Sequence, residues 1–148
     1  KLSPSGWGIR HGARLKWPAD LLSEGMGKIL PGMQTDIILR DEARSPDRVI
    51  IIDTKFTSIS AANQWGSQKL RSGYLYQIYA YLLSQHENPH YGPHSEGLML
   101  HPVVDGHLDE EASIQGHRIR FATVDLRGTY ASIVNEFLGA ITPAGSDG

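Results

Sequence analysis

The run Val49-Ile50-Ile51-Ile52, closed by Asp53-Thr54-Lys55, constrains the fold of this chain more than any other feature. Consecutive β-branched residues without alternation fit a strand buried on both faces, as in a sheet covered by helices. The end of such a strand is a poor place for an acid and a base, because a buried charge is costly unless it is paired or used. A second segment, 33–40 (MQTDIILR), also reads as a strand, and the polar stretch 41–47 (DEARSPD) between them reads as a turn.

Folding these two strands into a hairpin centred between Arg44 and Ser45 puts Asp36 opposite Asp53. Residues so opposed have Cβ atoms about 4.5–5.5 Å apart. Lys55, two residues beyond Asp53, shares its face. Two carboxylates that close repel unless a cation neutralises them. One ammonium does not offset both, so a hard divalent cation completes the site, Mg2+ with Mn2+ as an alternative. That chemistry suits phosphodiester hydrolysis. The plainer reading makes Asp36 a strand-end residue and Asp53–Lys55 an exposed salt bridge, and the apolar run before Asp53 argues against it.

A helix is predicted from about Lys69 to Gln85, with Leu75, Ile78, Tyr79 and Leu82 on its buried face and a loop ahead of it at 57–68. Further strands are expected at Gly97–Val104 and Arg118–Leu126, and a short one at Arg14–Ala19. A closing helix is expected at Thr129–Ile141, with Thr129 as its N-cap. Residues 1–14 read as loop or edge structure, 142–148 as irregular, and the stretch from Asp20 to Gly27 as ambiguous. The expected fold is a single α/β domain over 1–148, with a mixed central sheet flanked by helices.

These residues resemble the PD-(D/E)xK nuclease signature, with LPGMQTD supplying one acid and IIDTK the acid-x-Lys. LPGMQTDIIL, VIIIDTKF and SGYLYQIYAYL together, over roughly Trp17 to Gln85, are similar to the McrC family, the nuclease subunit of McrBC-type 5-methylcytosine restriction systems. The resemblance implies a restriction-endonuclease-like core whose opening helix is missing here, in a C-terminal fragment of a longer protein. It implies a catalytic set of Asp36, Asp53, Lys55 and Gln77, with Tyr74 at an aromatic position of the family. The metal would be held by Asp36, Asp53 and the backbone carbonyl of Thr54. Glu24 or Asp20 would be stand-ins for an acid from the missing helix. The implied partners are modified DNA and an AAA+ GTPase subunit of the McrB type, bound through the missing N-terminal region.

Net charge is −2, whereas a domain that holds DNA unaided is usually basic, so a partner-dependent subunit with dormant nuclease activity is the rival reading. A repair or recombination exonuclease of the same fold is another. The absence of cysteine excludes disulfides and thiolate chemistry and fits a cytoplasmic setting, and no apolar run reaches the ~20 residues of a membrane span. His86, His90 and His94 recur at metal-ligand spacing, but Pro89, Gly92 and Pro93 break any helix there. Arg10, Arg14, Lys16, Lys69 and Arg71 are candidate phosphate contacts and Trp65 a candidate base-stacking residue, each weighed against ordinary surface or packing roles.

Overall fold

A computed structural model describes residues 6–56, 60–62, 68–104 and 106–143. Its centre is a six-stranded mixed sheet of β1 (Trp7–His11), β4 (Ile37–Asp41), β5 (Arg48–Thr54), β8 (Glu96–Pro102), β10 (His117–Val124) and β9 (Asp109–Ile114), in that spatial order. Strands β5, β8 and β10 are mutually parallel, whereas β1, β4 and β9 join antiparallel. Two small pairs lie outside it, β2 (Arg14–Leu15) with β3 (Met33–Gln34) and β6 (Ser60–Ala62) with β7 (Gln68–Leu70). The helices are α1 (Glu24–Ile29), α2 (Ser72–Ser84) and α3 (Tyr130–Ile141).

The isoleucine run is buried as expected, with Ile51 and Ile52 at 0% exposure. Alternate residues of β5 feed two separate cores. Val49 and Ile51 join Ile38, Met99, Ile119 and Phe121 beneath Ile78, Tyr81 and Leu82 of α2. Ile50 and Ile52 join Leu39, Leu98, Leu100 and Val124 beneath Ala140 and Ile141 of α3. Each fully buried isoleucine contributes about 1.5–3 kcal/mol, so this one strand accounts for much of both layers. The fold is α/β and consistent with a restriction-endonuclease-like core.

At the far end of β5, Arg48 forks onto Glu96 at 2.7 and 2.8 Å and reaches the Ile141 carbonyl at 2.7 Å. That clamp joins β5, β8 and the end of α3 through one planar guanidinium.

Several boundaries differ from expectation for identifiable reasons. Residues 7–11 take the edge alternative of the loop-or-edge expectation, as a strand that completes the ladder of β4. The 33–40 segment is interrupted: Met33–Gln34 pairs with β2, and β4 begins at Ile37. The second helix starts at Ser72, not Lys69, because 68–70 pair with 60–62, within the stretch expected to be loop. Strand β9 was not anticipated; its sequence, DEEASI, is too polar to read as a strand. It is held at the sheet edge by cross-strand ion pairs, Arg120 with Asp109 at 2.6 Å and Arg118 with Glu111. Its turn places Gln115 and Gly116 at φ 50° and 83°, the left-handed pair that a tight hairpin needs.

Helix α1 falls within the ambiguous stretch. Ser23 caps it through the Met26 N–H, yet its six residues bury no side chain. Among the described residues no longer helix precedes β3. Thr129 caps α3 as predicted, its hydroxyl accepting from the Ser132 N–H. No helix among the described residues is long and apolar enough to cross a membrane.

Candidate active site

The β4–β5 ladder pairs Ile37 with Ile52, Ile38 with Ile51 and Leu39 with Ile50. This is the register of a hairpin centred between Arg44 and Ser45; Asp36 and Asp53 are the next residues beyond its last pair, and the Asp36 charge bears on Asp53. Asp36 itself lies just before β4, its backbone fixed by the Gly12 N–H donating to its carbonyl at 2.9 Å. Its carboxylate Oδ2 accepts from both the N–H and the hydroxyl of Thr54, at 2.7 and 2.8 Å. Thr54, whose carbonyl is the expected further ligand, is thus tied to Asp36 through its amide and its hydroxyl.

Asp53 is 3% exposed and faces the α2 side with Ile51 and Val49. Lys55 Nζ lies 2.7 Å from Asp53 Oδ2. The contact has ion-pair distance but not hydrogen-bond alignment, so this buried oxygen lacks an aligned donor. Burial pushes the Asp53 carboxyl above its ordinary range. Lys55 opposes that shift, the nearby Asp36 adds to it, and His101 opposes it weakly. The two acids and the lysine therefore share one electrostatic neighbourhood at the carboxyl end of parallel strands, where open α/β sheets bind their ligands.

The donor chemistry fits a hard divalent cation. The Asp36 charge adds to the cost of ionising Asp53, and Oδ2 of Asp53 is buried without an aligned donor. Among the described residues no group of three or more His, Asp or Glu side chains is arranged to hold a metal. A cation at Asp36 and Asp53 would thus need backbone oxygen or water to complete its shell.

The remaining candidates separate. Gln77 donates from Nε2 to the Tyr81 hydroxyl at 2.8 Å, and that hydroxyl donates to the Gln34 carbonyl at 3.1 Å. Gln77 is therefore linked to the segment leading into Asp36, and not directly to Lys55. Tyr74 lies beside the site, with Lys55 Nζ 5.6 Å from its ring centroid. Glu24 pairs with Lys28 of its own helix at 2.6 Å. Neither Glu24 nor Asp20 is among the groups that bear on Asp53.

His86, His90 and His94 line one cavity but are not arranged as a metal-holding group. The His86 ring meets His117 instead, Nδ1 to Nε2 at 3.0 Å. Arg10, Arg14, Lys16 and Arg71 are exposed, Lys69 falls in β7, and Trp65 lies outside the described residues.

His101 is the neighbour that sequence reasoning missed. It is 2% exposed at the end of β8, and its ring packs at a tilt against Tyr74, centroids 5.3 Å apart. The available signal was its position: it closes the apolar run Leu98–Leu100 as Asp53 closes Val49–Ile52.

Comparison with known proteins gives one informative relative. The chain is 33% identical over 124 residues to the type IV methyl-directed restriction enzyme EcoKMcrBC of Escherichia coli (strain K12). Over those residues the chain belongs to the McrC-type family. The match covers 84% of this chain and 34% of that relative, so the chain spans about a third of the relative's length. No family model matches the chain.

Proposed function

We propose that this McrC-type chain is the metal-dependent nuclease unit of a modification-dependent restriction system, hydrolysing phosphodiester bonds in DNA. The observation that carries the reading is the meeting of Asp36, Asp53 and Lys55 at the end of a buried strand, with Lys55 Nζ 2.7 Å from Asp53. Its family relative is named as a methyl-directed restriction enzyme, which supports the substrate class. Asp36, Asp53 and the Thr54 carbonyl would hold Mg2+, with Mn2+ as an alternative. Bound there, the cation would lower the pKa of a coordinated water and neutralise charge on the phosphate.

The residues of the chain supply the rest. Thr54 holds the Asp36 carboxylate through two hydrogen bonds, which fixes it before any ligand arrives. Lys55 sets a positive charge beside Asp53, where it would orient the nucleophile or meet charge developing on the phosphate. Gln77 acts at one remove, through Tyr81 and the backbone ahead of Asp36.

A net charge of −2 favours delivery to DNA by a partner, an NTPase of the McrB type, in the cytoplasm. The test is cleavage of methylated and unmethylated plasmid with Mg2+, with and without the partner and GTP. Asp53→Ala and Lys55→Ala are expected to abolish cutting while leaving the fold intact. Full cutting by either variant sinks the assignment. Robust cutting without the partner removes the dependence and leaves the nuclease.

A further inference from the structure

We propose that His101 is a positioning residue for Lys55, acting through the intervening ring of Tyr74. The proposal rests on the nuclease reading for its meaning, although its geometry stands independently. Strand β8 runs parallel to β5 with Asp53 beside Met99 and Thr54 beside Leu100, and the Lys55 N–H donates to the Leu100 carbonyl at 2.9 Å. Lys55 and His101 are the residues that follow directly on the last pair of that ladder. Side chains two apart share a face, so His101 shares the α2 face with Met99.

Lys55 carries its charge on a flexible four-carbon stem and is 24% exposed, so the backbone alone does not fix its ammonium. What surrounds that ammonium does. Nζ lies over the Tyr74 ring, 5.6 Å from its centroid and within cation–π reach, on the way to Asp53 Oδ2 at 2.7 Å. Tyr74 stands in the first turn of α2, a helix whose N-cap residue Arg71 makes no side-chain cap bond. The Tyr74 N–H closes that turn onto the Arg71 carbonyl at 3.0 Å, and the ring itself packs against the sheet.

His101 supplies that packing. Its buried ring sits 5.3 Å from the Tyr74 ring at a 45° tilt. A side chain removed at 101 opens space behind Tyr74, which lets the ring turn and the ammonium drift from Asp53. Displacing a catalytic group by about 1 Å costs on the order of a hundredfold in rate. On this account the imidazole acts as a ring, and another ring can serve.

The proposal is tested by NMR on the 148-residue chain and, with Mg2+ and the NTPase partner, by DNA cleavage in the full-length protein. The Lys55 ε-methylene protons should show a ring-current shift from Tyr74 that His101→Ala erases and His101→Phe restores. In cleavage, His101→Ala should lower kcat by about a hundredfold with KM for DNA unchanged. His101→Phe should rescue most of that loss. Where His101→Ala does not fold, Tyr74→Leu removes the middle ring directly and should give the same loss of kcat.

A ring-current shift that persists in His101→Ala overturns the positioning role, as does a His101→Phe variant as impaired as His101→Ala. If Lys55→Ala cuts normally, the nuclease reading falls. The NMR result then still decides whether His101 places the ammonium.

Discussion

Oδ2 of Asp36 accepts two hydrogen bonds from one residue, the N–H and the hydroxyl of Thr54, at 2.7 and 2.8 Å. One acid of the site is thereby fastened to the strand that carries the other. Thr54→Val keeps the β-branched shape and the N–H but removes the hydroxyl. Urea unfolding should show a loss of about 1 kcal/mol, typical of one hydrogen bond. Cleavage should fall further than that loss of stability explains, because the Asp36 carboxylate is freed to turn. Unchanged cleavage would mean that the hydroxyl contributes only to folding.

Asp53 links stability to pH. Burial holds its carboxyl above the ordinary value of 3.8, so the folded chain keeps a proton there that the unfolded chain has released. Across that window stability falls as pH rises, and above it the cost of the buried charge is fully present. Asp53→Asn should remove this slope in metal-free buffer and leave a chain more stable at neutral pH, yet unable to cut. Denaturation midpoints from acid to neutral pH give the answer, and parallel wild-type and variant profiles would refute it.

Mg2+ should offset the same cost. A ligand that binds only the folded state at a hundred times its Kd adds about 2.7 kcal/mol. The melting temperature should rise from EDTA to millimolar Mg2+ in the wild type and stay fixed in Asp53→Asn. Equal responses would place the ion elsewhere.

Gln77, Tyr81 and the Gln34 carbonyl form a polar chain from α2 to the segment ahead of Asp36. Tyr81 is 7% exposed, so Tyr81→Phe leaves an acceptor without its donor, at a cost of about 1–3 kcal/mol. Gln77→Ala should cost less, because Tyr81 keeps its bond to Gln34. In a double-mutant cycle the two changes should couple, and strict additivity would show that the Gln77–Tyr81 bond contributes nothing.

Gly97 of β8 lies directly against Ile78 and Leu82 of α2. A Cβ there would lie 2.6 Å from Cγ1 of Ile78 and 3.1 Å from Cδ1 of Leu82. Gly97→Ala should therefore destabilise the fold by about 1–3 kcal/mol through overpacking. A melting temperature at the wild-type value would show that α2 can shift outward without cost.

Residue chemistry made some of this legible before the structure and hid the rest. The isoleucine run specified a buried strand because no other element absorbs four adjacent β-branched side chains so well. The polar turn then fixed the hairpin register that sets Asp36 beside Asp53. Strand β9 was hidden because its stability comes from ion pairs to β10, which composition alone does not reveal. Tyr81 is not among the residues the helical periodicity puts on the buried face, yet its hydroxyl finds a carbonyl and its ring enters the core. His101 stayed invisible because its neighbours, Tyr74 and Lys55, come from distant segments, brought together only by parallel pairing.

Strand β5 is at once the keel of the molecule and the mount for Asp53 and Thr54. Its alternate residues belong to different hydrophobic layers, so any shift of Asp53 along the strand drags isoleucines out of both. Drift in the placement of Asp53 is therefore penalised by folding itself. Natural or laboratory selection for a new target should leave 49–55 nearly untouched and accumulate its changes in the loops and surfaces around the tip of that strand.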